Sequence, residues 1–211
     1  RNPINGVNVM NKIIENFLDI HKKEYSIERL DTETAFEHFT NKCIVNKYSN
    51  ERFDPSDIMT DPGEKGLDGV AICVNGRVIT SNDELESILG EAKSLDVRFV
   101  FIQTKTSEHF DGDEIGTFIY GVKAFFAPEA LRPQTNEKMD NLISLKDEIY
   151  RHSIDMTNAP VLDLYYVCCG KWVEGNGLMS RVNLDIQPLI DTQNFSSVAF
   201  FPYDSEKIIT T

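Results

Sequence analysis

A mixed α/β fold, with a central sheet flanked by helices, is what this 211-residue sequence predicts, and three observations carry the reading. Two apolar runs, RFVFIQT and VLDLYYVCC, are rich in β-branched and aromatic residues and read as buried strands. VAICV and RVIT flank Asn75-Gly76, the pair that supplies the two positive φ angles of a type I′ hairpin turn. Between these segments the apolar residues recur with helical spacing. The order helices, hairpin, helix, strand, helices, strand, helix, strand belongs to the α/β or α+β class with a mixed sheet.

In chain order, the apolar positions 7, 10, 13, 14, 17 and 18 predict an amphipathic first helix from Val7 to about Ile20. Asp31 or Thr32 caps a second helix whose inward stripe is Phe36, Phe39 and Cys43, with Glu33 and Glu37 one turn apart on a neighbouring face. Residues 49–67 are rich in Asp, Ser, Pro and Gly and read as a loop too long for a mere connector. After the hairpin, Ser81-Asn82-Asp83-Glu84 forms a capping box and starts a helix to about Ser94 with Leu85, Ile88 and Leu89 inward. RFVFIQT follows, then a loop at 109–113, a helix near Glu114 to Phe126, and an amphipathic helix at about 137–152. VLDLYYVCC at 161–169 and SSVAFFPY at 196–203 are the last strands.

Composition narrows the function. The chain has 41% hydrophobic and 26% charged residues, enough for a real core. No apolar run of about eighteen residues exists to span a bilayer, and the N-terminus lacks the design of a signal peptide, so a cytoplasmic location is expected. The cysteines at 43, 73, 168 and 169 show no zinc spacing and read as reduced, packed thiols. A start at Arg1 and a stop at EKIITT suggest a fragment of a longer protein, whose remainder is an expected partner. The formal charge of −13 opposes a broad basic surface for nucleic acid. It leaves room for a nuclease centre, because clustered carboxylates are what holds a catalytic cation.

The chemistry concentrates in a few residues. Side chains alternate along a strand, so Phe99, Phe101, Gln103 and Lys105 share one face while Val100, Ile102 and Thr104 share the other. Alone, Lys105 reads as a strand-end lysine reaching for water. Asp68, however, sits in Gly66-Leu67-Asp68-Gly69 at the start of the hairpin, and consecutive strands usually neighbour one another, so Asp68 and Gln103-x-Lys105 can meet. Alone, Asp68 reads as a turn residue. Glu37, on the preceding helix, can project to the same place from the side. Asp68 and Glu37 offer oxygen ligands to a hard cation, and Lys105 can hold a hydroxide and stabilise phosphoryl charge.

At these residues the sequence resembles a known family. A Glu-bearing helix, G-[IL]-D-G opening a hairpin, and an apolar strand ending in Q-x-K are similar to the Mrr-like branch of the PD-(D/E)xK nuclease superfamily. More closely, GLDGVAICVNGRVIT and FVFIQTKTSEHFDGDEI resemble the N-terminal part of the proteins named for abortive infection and phage resistance, over about residues 30–127. The resemblance implies a restriction-endonuclease-like mixed central sheet flanked by helices, with residues 1–30 an N-terminal helical segment and 31–211 the nuclease-like domain. It implies that Asp68 is the metal-binding acid and Lys105 the residue that orients or activates water. Gln103 then stands where most of the superfamily has a second acid, and Glu37 completes the shell of Mg²⁺ or Mn²⁺. Leu67 replaces the proline of the family motif. The implied activity is metal-dependent endonucleolytic cleavage of DNA in a bacterial anti-phage or restriction-type protein, with a homodimer as one possible state. The alternative is a degenerate nuclease fold serving as a structural or protein-interaction domain. A nucleotide or RNA substrate on the same scaffold is a third reading.

Overall fold

The computed structural model of the chain describes residues 10–61, 66–173, 175 and 177–211. The expected positions 7–9 of the first helix and 62–65 of the long loop lie outside the described residues. Five strands form one mixed sheet: β1 (Gly69–Val74), β2 (Arg77–Ile79), β3 (Val97–Lys105), β4 (Val161–Cys168) and β5 (Ser197–Tyr203), in the order β2-β1-β3-β4-β5. β1 is antiparallel to both β2 and β3, whereas β3, β4 and β5 run parallel. The expected mixed sheet flanked by helices is therefore the architecture observed. Asn75 (φ 52°) and Gly76 (φ 75°) make the β1–β2 turn as their types demand. The Asn75 side chain also accepts from the Asp96 amide at 2.7 Å and donates to the Ser94 carbonyl at 3.0 Å, tying the turn to the start of β3.

Alternation in β3 divides the core into two layers. Phe99 and Phe101 enter an apolar cluster with Ile115, Phe118 and Val122 of α5 (Gly112–Phe126) and Leu142 and Ile149 of α6 (Glu137–Arg151). Val100 and Ile102 enter a second cluster on the opposite face, with Ile14 and Leu18 of α1 (Lys12–Glu24) and Phe36 and Ile44 of α2 (Thr32–Val45). β3 is thus buried on both faces, which explains its nearly continuous apolar sequence. Asp31 caps α2, Ser81 and Glu84 form the reciprocal box of α4 (Asn82–Glu91), and the Asp111 carboxylate accepts from the Asp113 and Glu114 amides to open α5. No described helix is long and apolar enough to cross a membrane.

Several boundaries differ from the sequence reading. The inward stripe of α1 is Ile14, Leu18 and His21, with Met10 buried just before the helix, while Ile13 and Phe17 face outward at 48% and 36% exposure. The missing signal was His21, which is buried because its Nε2 meets Nδ1 of His38 on α2 at 2.7 Å. Cys43 is only half-buried. The helix expected to reach Ser94 ends at Glu91, after Gly90, and Ala92 is already extended. The long loop contains a short helix, α3 (Pro55–Ile58). Leu178–Asp191 forms α7 between β4 and β5 despite Pro188, and α8 (Ser205–Thr210) follows β5 under an Asp204 cap. All four cysteines are unpaired.

One polar contact braces the sheet at the end opposite the chemistry. The Asp163 side chain of β4, 4% exposed, bonds to the Arg98 guanidinium of β3, which lies over the Tyr48 ring at 4.6 Å. Removing the arginine strands a buried carboxylate, the costly way to break such a pair. Arg98→Met is expected to lower unfolding free energy by about 3 kcal/mol. Adding Asp163→Leu should recover most of that loss, read as the urea midpoint.

Candidate active site

The four residues singled out from sequence, Glu37, Asp68, Gln103 and Lys105, line one cavity of about 270 Å³. The cavity opens at the C-terminal end of β3, where β1 begins. Asp68 reaches it because its amide donates to the Ile102 carbonyl at 2.9 Å, one step beyond the Gly69–Ile102 pair of the ladder. Its own carbonyl accepts from the Thr60 amide and from Asn41 Nδ2, each at 3.2 Å. The carboxylate is held as firmly. Asp68 Oδ2 accepts from the Thr104 amide at 2.7 Å, the Thr104 hydroxyl at 3.0 Å and Gln103 Nε2 at 2.7 Å. No hydrogen bond to Asp68 Oδ1 is found among the described residues. Burial raises the Asp68 carboxyl above its usual range even though the Thr104 donors favour its charged form.

Gln103 is 5% exposed, and its orientation follows from its neighbour. A carboxylate accepts only, so the amide nitrogen must face Asp68. Gln103 Oε1 is consequently turned elsewhere, buried and without any donor. An orphaned buried acceptor beside a carboxylate is what a hard cation satisfies, so this donor set fits Mg²⁺ or Mn²⁺: Asp68 Oδ1, Gln103 Oε1 and the Glu37 carboxylate. Among the described residues no three His, Cys, Asp or Glu side chains gather around one metal position. The candidate set has two carboxylates and an amide. Glu37, on α2, is pushed up to about 7, first by burial and then by the charge of Asp68, with Lys105 acting in the opposite sense.

Lys105 stands where the alternation put it, on the α5 side, with Nζ 3.5 Å from Glu114 Oε1. Glu114 Oε2 accepts in turn from the hydroxyl of the fully buried Tyr166 at 3.0 Å. Thr106 and Ser107, with hydroxyl side chains, also line the cavity. The loop they start is fastened to β4: the Ser107 carbonyl accepts from the Cys169 amide at 3.1 Å and the Cys168 thiol at 3.0 Å. Gly170 completes the fit, because a Cβ there would lie 1.7 Å from the Glu108 carbonyl oxygen.

Three contributors escaped the sequence reading. Thr104 falls on the opposite face from Gln103 by alternation, yet both its backbone amide and its hydroxyl donate to Asp68 Oδ2. Glu114 reads as an ordinary helix-start acid, and its contact with Lys105 needs the placement of α5. Tyr166 reads only as a core residue, and its hydroxyl reaches Glu114 through the parallel β3–β4 register. Away from the cavity, His152 caps α6 beside Glu148 and Asp155, and Trp172 packs edge-on against Phe110 at 4.9 Å. Comparison with known protein families, curated proteins and solved structures finds no match for this chain.

The shifted groups define a pH signature. Glu37 titrates near 7 in the fold against about 4.5 unfolded, so its contribution to stability is present below pH 4.5 and is lost as pH rises through 7. His21, lowered to about 4 by burial and by His38, acts with opposite sign: its contribution is present above pH 6.5 and is lost as pH falls toward 4. The two slopes oppose each other between about pH 4.5 and 6.5. Glu37→Gln should therefore raise stability at pH 8 by about 2 kcal/mol, change little at pH 4, and leave a steeper rise with pH between them, all measurable by urea unfolding.

Proposed function

We propose that the chain is a metal-dependent endonuclease domain that hydrolyses phosphodiester bonds, with DNA as its substrate. The observation that carries this reading is the convergence, in one cleft, of a clamped Asp68, an orphaned Gln103 oxygen, Glu37 and Lys105. A bound divalent cation supplies charge neutralisation on the phosphoryl group and acidifies a ligated water. The chain's part is to hold oxygen ligands in fixed places. Thr104 and Gln103 pin one Asp68 oxygen and so aim the other. Glu37 comes from the opposite wall, on the helix that covers the second core layer. Lys105, braced by Glu114, presents its ammonium to the attacking oxygen or to the non-bridging oxygens of the phosphate, where charge builds in the transition state. The anti-phage role follows from the family resemblance alone.

The non-cleaving alternative draws on a specific feature, the amide of Gln103 in place of a carboxylate, which removes one charge from the cation site. Nicking of supercoiled plasmid separates the two. The full chain should cleave with Mg²⁺ or Mn²⁺ and stop with EDTA. Asp68→Asn and Lys105→Ala should each slow cleavage by about 10²–10³-fold while the far-UV circular dichroism is unchanged. Wild-type rates in both variants, or no cleavage with either cation, would sink the endonuclease reading. Because Glu37 would have to give up its proton to serve as a ligand, Mn²⁺ affinity should also strengthen as pH rises from 6 to 8. Calorimetric titration at fixed ionic strength reads that trend.

A further inference from the structure

We infer that Asn41 is a positioning residue that sets the gap between the two carboxylates of the cleft, an inference that rests on the metal-binding reading of Asp68 and Glu37. Asn41 stands one helical turn after Glu37 on α2, so the two side chains leave the same face of the helix. It is completely buried, and its Nδ2 donates to the backbone carbonyl of Asp68. The helix that carries Glu37 is thereby registered on the residue that carries the other carboxylate. No intervening side chain or loop dilutes the connection.

The second glycine of Gly66-Leu67-Asp68-Gly69 acquires a reason from this contact. A Cβ at Gly69 would lie 2.4 Å from Asn41 Oδ1 and 2.8 Å from both Cγ and Nδ2. Gly69 needs no left-handed backbone, since its φ is not positive. Space for the asparagine is what it provides. The same asparagine is a poor choice for stability alone: its Oδ1 is buried without a donor, a desolvation cost that an apolar side chain of the same size avoids. What the amide contributes instead is a fixed distance between helix and strand, in the way that partners behind a metal ligand orient it.

The test uses Mn²⁺ alone as the probe, with binding to the full chain followed by electron paramagnetic resonance. Asn41→Leu removes the donor at nearly constant volume, and Gly69→Ala displaces the asparagine without altering it. Each should weaken Mn²⁺ binding by about 10–100-fold, and the double variant should be no weaker than the worse single one. Circular dichroism restricts the comparison to folded protein, so a general loss of structure cannot imitate the result. Should Asn41→Leu fail to fold, Gly69→Ala alone decides. Wild-type binding with unchanged affinity in the folded variants overturns the inference and leaves the metal reading standing. A wild-type chain that binds no Mn²⁺ overturns both.

Discussion

The bond network around the Asp68 carboxylate is the constraint on which the rest of the site depends. A carboxylate at the start of an edge-proximal strand would ordinarily point into solvent and sample several rotamers. Here one oxygen is fixed by a backbone amide, a hydroxyl and a side-chain amide, all from two adjacent residues at the end of β3. Those donors exist in the right place only because β1 pairs with β3 in one register, Gly69 opposite Ile102. A slip of one residue would turn every β3 side chain to the other face, sending Phe99 and Phe101 into the wrong layer and Gln103 away from Asp68. The apolar core therefore enforces the register, and the register places the polar groups.

Electrostatics impose a second condition. Glu33, Glu37, Asp68 and Glu114 border the cavity with Lys105 as the cation among them, in a chain of net charge −13. Such a cleft repels a polyanion. Burial, first, and then the neighbouring charge of Asp68 raise the titration of Glu37 in this cleft. On the proposed endonuclease reading, affinity for a nucleic acid would have to come from a bound ion and from the few basic groups near it.

Much of this was legible in the sequence, for identifiable reasons. Period-two alternation in VRFVFIQTK separates the two core layers without any knowledge of neighbours. Asn75-Gly76 encodes its hairpin in two residues. The meeting of Asp68 with Gln103 and Lys105 follows from adjacency of consecutive strands. What remained hidden depends on contacts that no local pattern announces. Thr104 acts partly through its main-chain N–H, which every residue but proline carries. Glu114 and Tyr166 come from a helix and a strand 9 and 61 positions beyond Lys105, so their convergence needs the parallel β3–β4 register. His21 and His38 pair across two helices, and neither has the spacing that marks a ligand.

The fastening of the loop after Lys105 has a mechanical consequence. Ser107 is bonded to both Cys168 and Cys169, and the Glu108 carbonyl fills the space that a side chain at Gly170 would need. This wall of the cavity is in effect a continuation of β4, so the backbone after Lys105 cannot shift without dragging the end of that strand with it.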